Sequence, residues 1–126
     1  MAVATAEYNI GNVVSAIEAY QEAAILEPVN NEIWLDWSFI HYEQGEMKKA
    51  ISLIDRALEE VPDDAELLYR MVVYQITAGH YREAFTYLEN ALILDFEKHE
   101  VLFEFFPKLE TQKALFKIID QYRSKN

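Results

Sequence analysis

Apolar positions along this chain follow helical spacing within short blocks, and the blocks recur at a fixed step. Between Met47 and Val61, the residues Ala50, Ile51, Ile54, Ala57, Leu58 and Val61 fall on one face of a helix. One constant step carries Ala16 to Ala50 to Ala84, and Ala23 to Ala57 to Ala91. It also carries Ile17 to Ile51 to Phe85, and Pro28 to Pro62. The three glycines of the chain, Gly11, Gly45 and Gly79, keep the same step. Self-similarity at a fixed period marks a repeat architecture, and a period of about 34 residues is that of a helix-turn-helix repeat.

Each period reads as two helices. Asn31 to Gln44 is apolar-rich without Pro or Gly, and Gly45 closes it as a C-terminal cap. A second helix runs from about Met47 to Val61, where Pro62 stops it and Asp63-Asp64 offers an N-cap to the next. The following period predicts helices over Ala65 to Ala78 and Tyr81 to Asp95, with Gly79 between them and Phe96 where a proline closed the previous unit. Upstream, Val13 to Glu27 is a second-type helix ended by Pro28. Only ten residues precede Gly11, so the spacing predicts a first repeat trimmed by about four residues.

After Phe96 the pattern decays. His99 to Phe106 predicts a short helix that Pro107 ends or redirects. Glu110 to Arg123 predicts a final amphipathic helix with Leu115, Phe116, Ile118, Ile119 and Tyr122 on its apolar side. Lys113 and Ile118 stand where the period would place glycine and alanine, as expected of a terminal repeat that presents a soluble face. The organisation is therefore one all-α domain over 1–126, with a trimmed repeat at 1–30, repeats at 31–64 and 65–98, and capping helices at 99–126.

Composition narrows the partner class. Apolar residues make up 52% of the 126 residues, enough for a continuous core. Lys and Arg total 11 against 22 Asp and Glu, a formal charge of -11. Such a surface repels phosphate backbones and anionic lipid, which argues against nucleic acid and membrane partners and leaves a basic or apolar protein. With no cysteine, disulfides, thiolate catalysis and cysteine-ligated zinc are excluded. The chain shows no signal-peptide pattern and no transmembrane run, which fits a cytoplasmic, reducing compartment.

These residues resemble the tetratricopeptide repeat, over roughly Ala4 to Lys98. Ala16, Ile17, Tyr20, Ala23 and Pro28 carry one unit, and Trp34, Gly45, Ala50, Ile51, Ala57 and Pro62 the next. The third holds Gly79, Tyr81, Ala84, Leu88 and Ala91. Small residues let two helices cross closely while longer side chains interlock around them. Ser38 keeps to this pattern, whereas Val72 is larger at the matching place, and His41 and Gln75 stand where the family commonly has tyrosine. The resemblance implies a right-handed superhelix whose first helices line a concave groove and whose second helices lie outside. It implies a scaffold that binds proteins or peptides, with no catalytic residues and no cofactor, and about three repeats belonging to a longer protein.

The residues point to a groove on their own terms. With Trp34 at zero and about 100° per residue, Trp34, Trp37, Ser38 and His41 share one side, with Ile33 and Ile40 beside them. That stripe suffices for packing. Leu35, Phe39 and Tyr42 lie apart from it at roughly 80° to 140°, bordered by Glu32, Asp36 and Glu43. The same phase gives Tyr69, Val73 and Ile76, bordered by Glu66 and Arg70, and in the flanking units Tyr8 and Phe103, the latter with Glu100 and Glu104. Aromatic residues with acidic edges suit a partner bearing apolar anchors and positive charge. The bland alternative is that part of this ladder, Leu35 and Ile76 above all, is core between repeats. Some members of the family hold acidic chaperone tails with Lys, Asn and Arg. Here the matching phases hold Leu35, Asp36, Phe39, Glu66, Tyr69, Arg70 and Val73, and only Arg70 has that character, which argues against such tails in this groove.

The chemistry of an enzyme is missing from the sequence: no His-Glu-x-x-His, no Gly-rich phosphate loop and no Gly-x-Ser-x-Gly. His41 reads as a packing residue, His80 as a turn residue and His99 as a helix start, at separations that suit no local metal motif. The expectation is a non-enzymatic scaffold without cofactor or metal. The competing reading is a structural or self-association segment, in which a trimmed first repeat leaves Tyr8 and Ile10 poorly covered and a second copy covers them weakly.

Overall fold

A computed structural model describes residues 10–105 and 113–123, all helix and turn with no strand among them. The chain divides into two compact units, one ending at Pro62 and the other beginning at Asp63. In the first unit, α1 spans Ile10–Leu26, α2 spans Asn31–Glu43 and α3 spans Met47–Glu60. Helix α2 packs on both α1 and α3. It begins where the Asn30 side chain accepts the Glu32 N–H at 3.2 Å, because the first amides of a helix have no partner within it. Its stripe of Ile33, Trp34, Trp37, Ser38, Ile40 and His41 is buried, in the phase that the spacing predicts. Helix α3 follows the two-faced pattern: Ala50, Leu53, Ile54 and Ala57 are buried while Lys48, Lys49, Arg56, Glu59 and Glu60 are exposed.

In the second unit, α4 spans Ala65–Thr77 and α5 spans Tyr81–Leu94. A 3-10 segment over Phe96–Glu100 leads into the short α6, Val101–Phe105, and α7 spans Lys113–Arg123. Asp64 caps α4 by accepting the Leu67 N–H at 3.1 Å. Ala84, Leu88, Ala91 and Leu92 bury the inner face of α5. Leu115 and Ile119 bury α7, while Phe116, Ile118 and Tyr122 are half-buried. Residues 110–112 of the final predicted helix, and Pro107, lie outside the described residues.

The two helix-helix turns are built alike. Gly45 and Gly79 have φ of 76° and 83°, the left-handed region that a Cβ disfavours. The Gly45 N–H donates to Tyr42 O and the Glu46 N–H to His41 O; Gly79 donates to Ile76 O and His80 to Gln75 O. This is the Schellman ending, which satisfies the last carbonyls of α2 and α4. A side-chain bond closes each turn again. His41 Nδ1 lies 2.9 Å from Glu46 Oε1, and His80 Nδ1 lies 2.8 Å from Gln75 Oε1. The repeat step that carries Gly45 to Gly79 relates the two pairs, with the histidine and its partner exchanged between the two positions. Gly11 departs from this arrangement. It lies within α1 rather than at a turn, so the glycine spacing does not mark a third turn there.

Candidate functional site

On α2 the predicted aromatic residues meet each other. The Phe39 and Tyr42 rings stack with centroids 5.8 Å apart and planes at 22°. Both are half-buried, so each keeps a face on the surface. Asp36 is half-buried and Glu32 and Glu43 are exposed, which places carboxylates along the same helix. Leu35, at the neighbouring phase, is buried. A helical surface with an aromatic pair and acidic neighbours can take an apolar side chain and attract a cation beside it.

The second unit corrects the expected ladder. Tyr69 is fully buried, and Val73 and Ile76 are buried as well. The Tyr69 hydroxyl donates to the Asp95 carbonyl oxygen at 2.8 Å, tying α4 to the end of α5. Burial, and secondarily the charge of Asp95, raise its pKa. Tyr69 is therefore a packing residue and not an anchor standing in a groove. The cause lies further along the chain: α6 and the 3-10 segment pack on α4 and cover the phase that Phe39 and Tyr42 keep partly open on α2. Glu66, Tyr69, Arg70 and Val73 do line one cleft, together with Val101 and Glu104. Its volume is about 70 Å³, room for water rather than for a partner's side chain. Glu66 also lies 3.7 Å from Lys98 in an ion pair, and Arg70 reaches the Tyr74 hydroxyl at 3.3 Å. Phe103 is half-buried and meets the His99 ring edge-on at 6.1 Å. Tyr8 and the Ile10 side chain lie outside the described residues.

Two features were not legible from phase alone. Trp34 and Trp37 stack at 5.6 Å, and the Arg56 guanidinium from α3 sits 5.1 Å and 5.4 Å from their ring centroids. The Trp34 indole N–H donates to Pro28 O at 2.8 Å, which fixes the α1–α2 connection. Arg56 lies on the exposed face of α3, and only its reach across to α2 reveals the contact. The other feature is the cross-turn pairing. Glu46 accepts from His41 and also from Lys49 at 3.2 Å, and these bonds, the His41 bond first, hold its carboxyl below the ordinary carboxylate value.

The histidines have structural partners. His99 is buried, with Nδ1 2.6 Å from the Phe96 carbonyl oxygen; a carbonyl can only accept, so Nδ1 carries the proton. Among the described residues, no group of three or more His, Asp and Glu side chains is arranged to hold a metal ion. Nor is any described helix long and apolar enough to cross a membrane.

The helix-turn-helix units, their paired Schellman turns and the small residues at close crossings define a helical-repeat protein. Residues 11–71 match the family model described as tetratricopeptide repeat, which is consistent with a tetratricopeptide-repeat domain. It is similar to the TPR repeat-containing protein MJ1428 of Methanocaldococcus jannaschii, 29% identical over 70% of this chain. The matched region spans 17% of that relative's length. Tetratricopeptide repeats generally mediate protein-protein interaction, and the family is typically a non-enzymatic scaffold.

Proposed function

We propose that this domain binds a protein or peptide segment through the face of α2 that carries Phe39 and Tyr42. The observation that supports it is the stacked, half-exposed aromatic pair, flanked by Asp36 and Glu43. The partner is an extended or helical segment with apolar anchors and net positive charge, since the chain carries a formal charge of -11. Exposed rim carboxylates such as Glu32 and Glu43 each contribute about 0–1 kcal/mol, while together they steer association.

The experiment is affinity for a partner captured by the immobilised chain. Phe39→Ala with Tyr42→Ala removes binding energy of about 2 kcal/mol or more if the pair is a hot spot, with helicity unchanged. Exchanging the exposed Glu59 and Glu60 of α3 for Gln leaves affinity intact. The opposite pattern places the site on α3 and sinks the proposal. A self-association reading has its own observation: Ile25 and Leu26, at the end of α1, are 79% and 80% exposed. Sedimentation of the parent against Leu26→Lys separates the two, because only self-association loses a concentration-dependent mass with that change.

A further inference from the structure

The first unit holds a second surface with the opposite chemistry. A cleft of about 450 Å³ opens between α1, α2 and α3. Ile17, Trp37 and Leu53 give it apolar lining, and His41, Lys48 and Lys49 give it cationic or proton-donating groups. Among the described residues that line it there is no carboxylate, although Glu46 bonds to two of its groups, His41 and Lys49. Its volume falls in the range of about 300–1,000 Å³ typical of pockets that take a ligand. None of its residues belongs to the Phe39–Tyr42 face. On α2, Trp37 and His41 sit at roughly 300° to 340° on the scale that places Phe39 and Tyr42 at roughly 80° to 140°.

The charge distribution makes this cleft unlike the rest of the chain. Residues 1–62 contain only Lys48, Lys49 and Arg56 as Lys or Arg, and two of the three line the cleft. Lys49 pairs with Glu46, whereas Lys48 has no ion-pair partner among the described residues. The Trp37 indole N–H is buried and lacks an acceptor among the described residues. An apolar cavity edged by two ammonium groups, on a chain of charge -11, selects a ligand with a bulky apolar side chain beside carboxylates.

We propose that this cleft is a second peptide-binding site, taking a short acidic-apolar segment of a partner protein, with the apolar side chain against Ile17, Trp37 and Leu53 and the carboxylates on Lys48 and Lys49. A polyanion is the wrong occupant: two lysines neutralise few phosphates, and the chain's net charge repels the remainder. The site does not depend on the α2 aromatic face, so either can hold without the other.

The probe is a random heptapeptide display library selected on the full chain, with enriched peptides then measured by fluorescence anisotropy. The expected result is a family combining Asp or Glu with Leu, Ile or Phe. Its affinity falls about tenfold with Lys48→Glu plus Lys49→Glu. It falls less, in the same direction, with Lys48→Gln plus Lys49→Gln, which avoids repulsion with Glu46 should the reversal perturb folding. Circular dichroism reports folding in each variant. Phe39→Ala with Tyr42→Ala leaves these peptides bound, which separates this site from the one proposed above. The inference is overturned if no acidic-apolar family emerges, if that family ignores both lysine variants, or if it is lost in the Phe39 and Tyr42 variant instead. Binding of oligo-dT that outcompetes the peptides, or sedimentation showing a dimer that the lysine variants dissolve, overturns it as well.

Discussion

Two buried tyrosines separate what a residue type announces from what its surroundings make of it. Tyr20 and Tyr69 are both fully buried, but the Tyr69 hydroxyl donates to Asp95 O, whereas the Tyr20 hydroxyl has no partner among the described residues. We expect Tyr69→Phe to destabilise by about 1 kcal/mol in denaturant unfolding, because the part-buried bond from its hydroxyl to the Asp95 carbonyl oxygen is lost. Tyr20→Phe is expected to be neutral or stabilising, because the group it removes is unsatisfied. Burial, aided by the Asp36 charge, pushes the Tyr20 phenol from 10.0 up to about 12. Folding stability falls as pH rises above the ordinary phenol value toward the raised one, because the buried phenol resists an ionisation that the unfolded chain undergoes. Ultraviolet titration of the phenolates should show a late-ionising group that Tyr20→Phe removes; an unchanged titration curve contradicts this placement. The helical phase of each aromatic was legible in the sequence. What covers that phase was not, because Tyr69 owes its burial to elements far along the chain that follow no repeat.

At the scale of elements, the repeat step foretold the turns at Gly45 and Gly79 to the residue, since a positive φ needs glycine there. The same spacing misread Gly11, which lies in α1, because a glycine is tolerated in a helix and its presence alone does not fix its conformation. Gly79→Ala is expected to cost about 1–2 kcal/mol in thermal or denaturant unfolding, through backbone strain alone. A Cβ there meets nothing within 4 Å, so crowding plays no part. An equal cost at Gly11→Ala would show that the two glycines share a role after all. The cross-turn bonds were not legible, because His41 with Glu46 and Gln75 with His80 are different residue types at matching places. Glu46 has its carboxyl pKa lowered from the ordinary 4.5. The stabilisation it provides is therefore present above that value and is lost as pH falls through the lowered one. The stability gap between the parent and Glu46→Gln should shrink on acidification through this window. A gap that widens there contradicts the pairing.

For the whole molecule, periodicity made the all-α repeat class readable, because each unit must bury its small-residue face against a neighbour and so repeats the same solution. The aromatic ladder was readable only in part: Phe39 and Tyr42 remain half-exposed, while Leu35, Tyr69, Val73 and Ile76 are buried. The formal charge of -11 gives binding a further signature. Affinity for a basic partner should weaken as salt is raised from low to physiological strength, mostly through slower association. A partner insensitive to salt would remove the acidic rim from the account. The most direct test of the α2 face is a nuclear magnetic resonance titration of the isotopically labelled chain with a captured partner. We expect the largest amide shifts at Asp36, Phe39, Tyr42 and Glu43, with Glu59 and Glu60 unmoved. Shifts concentrated at Glu59 and Glu60, with Phe39 and Tyr42 unmoved, would contradict it.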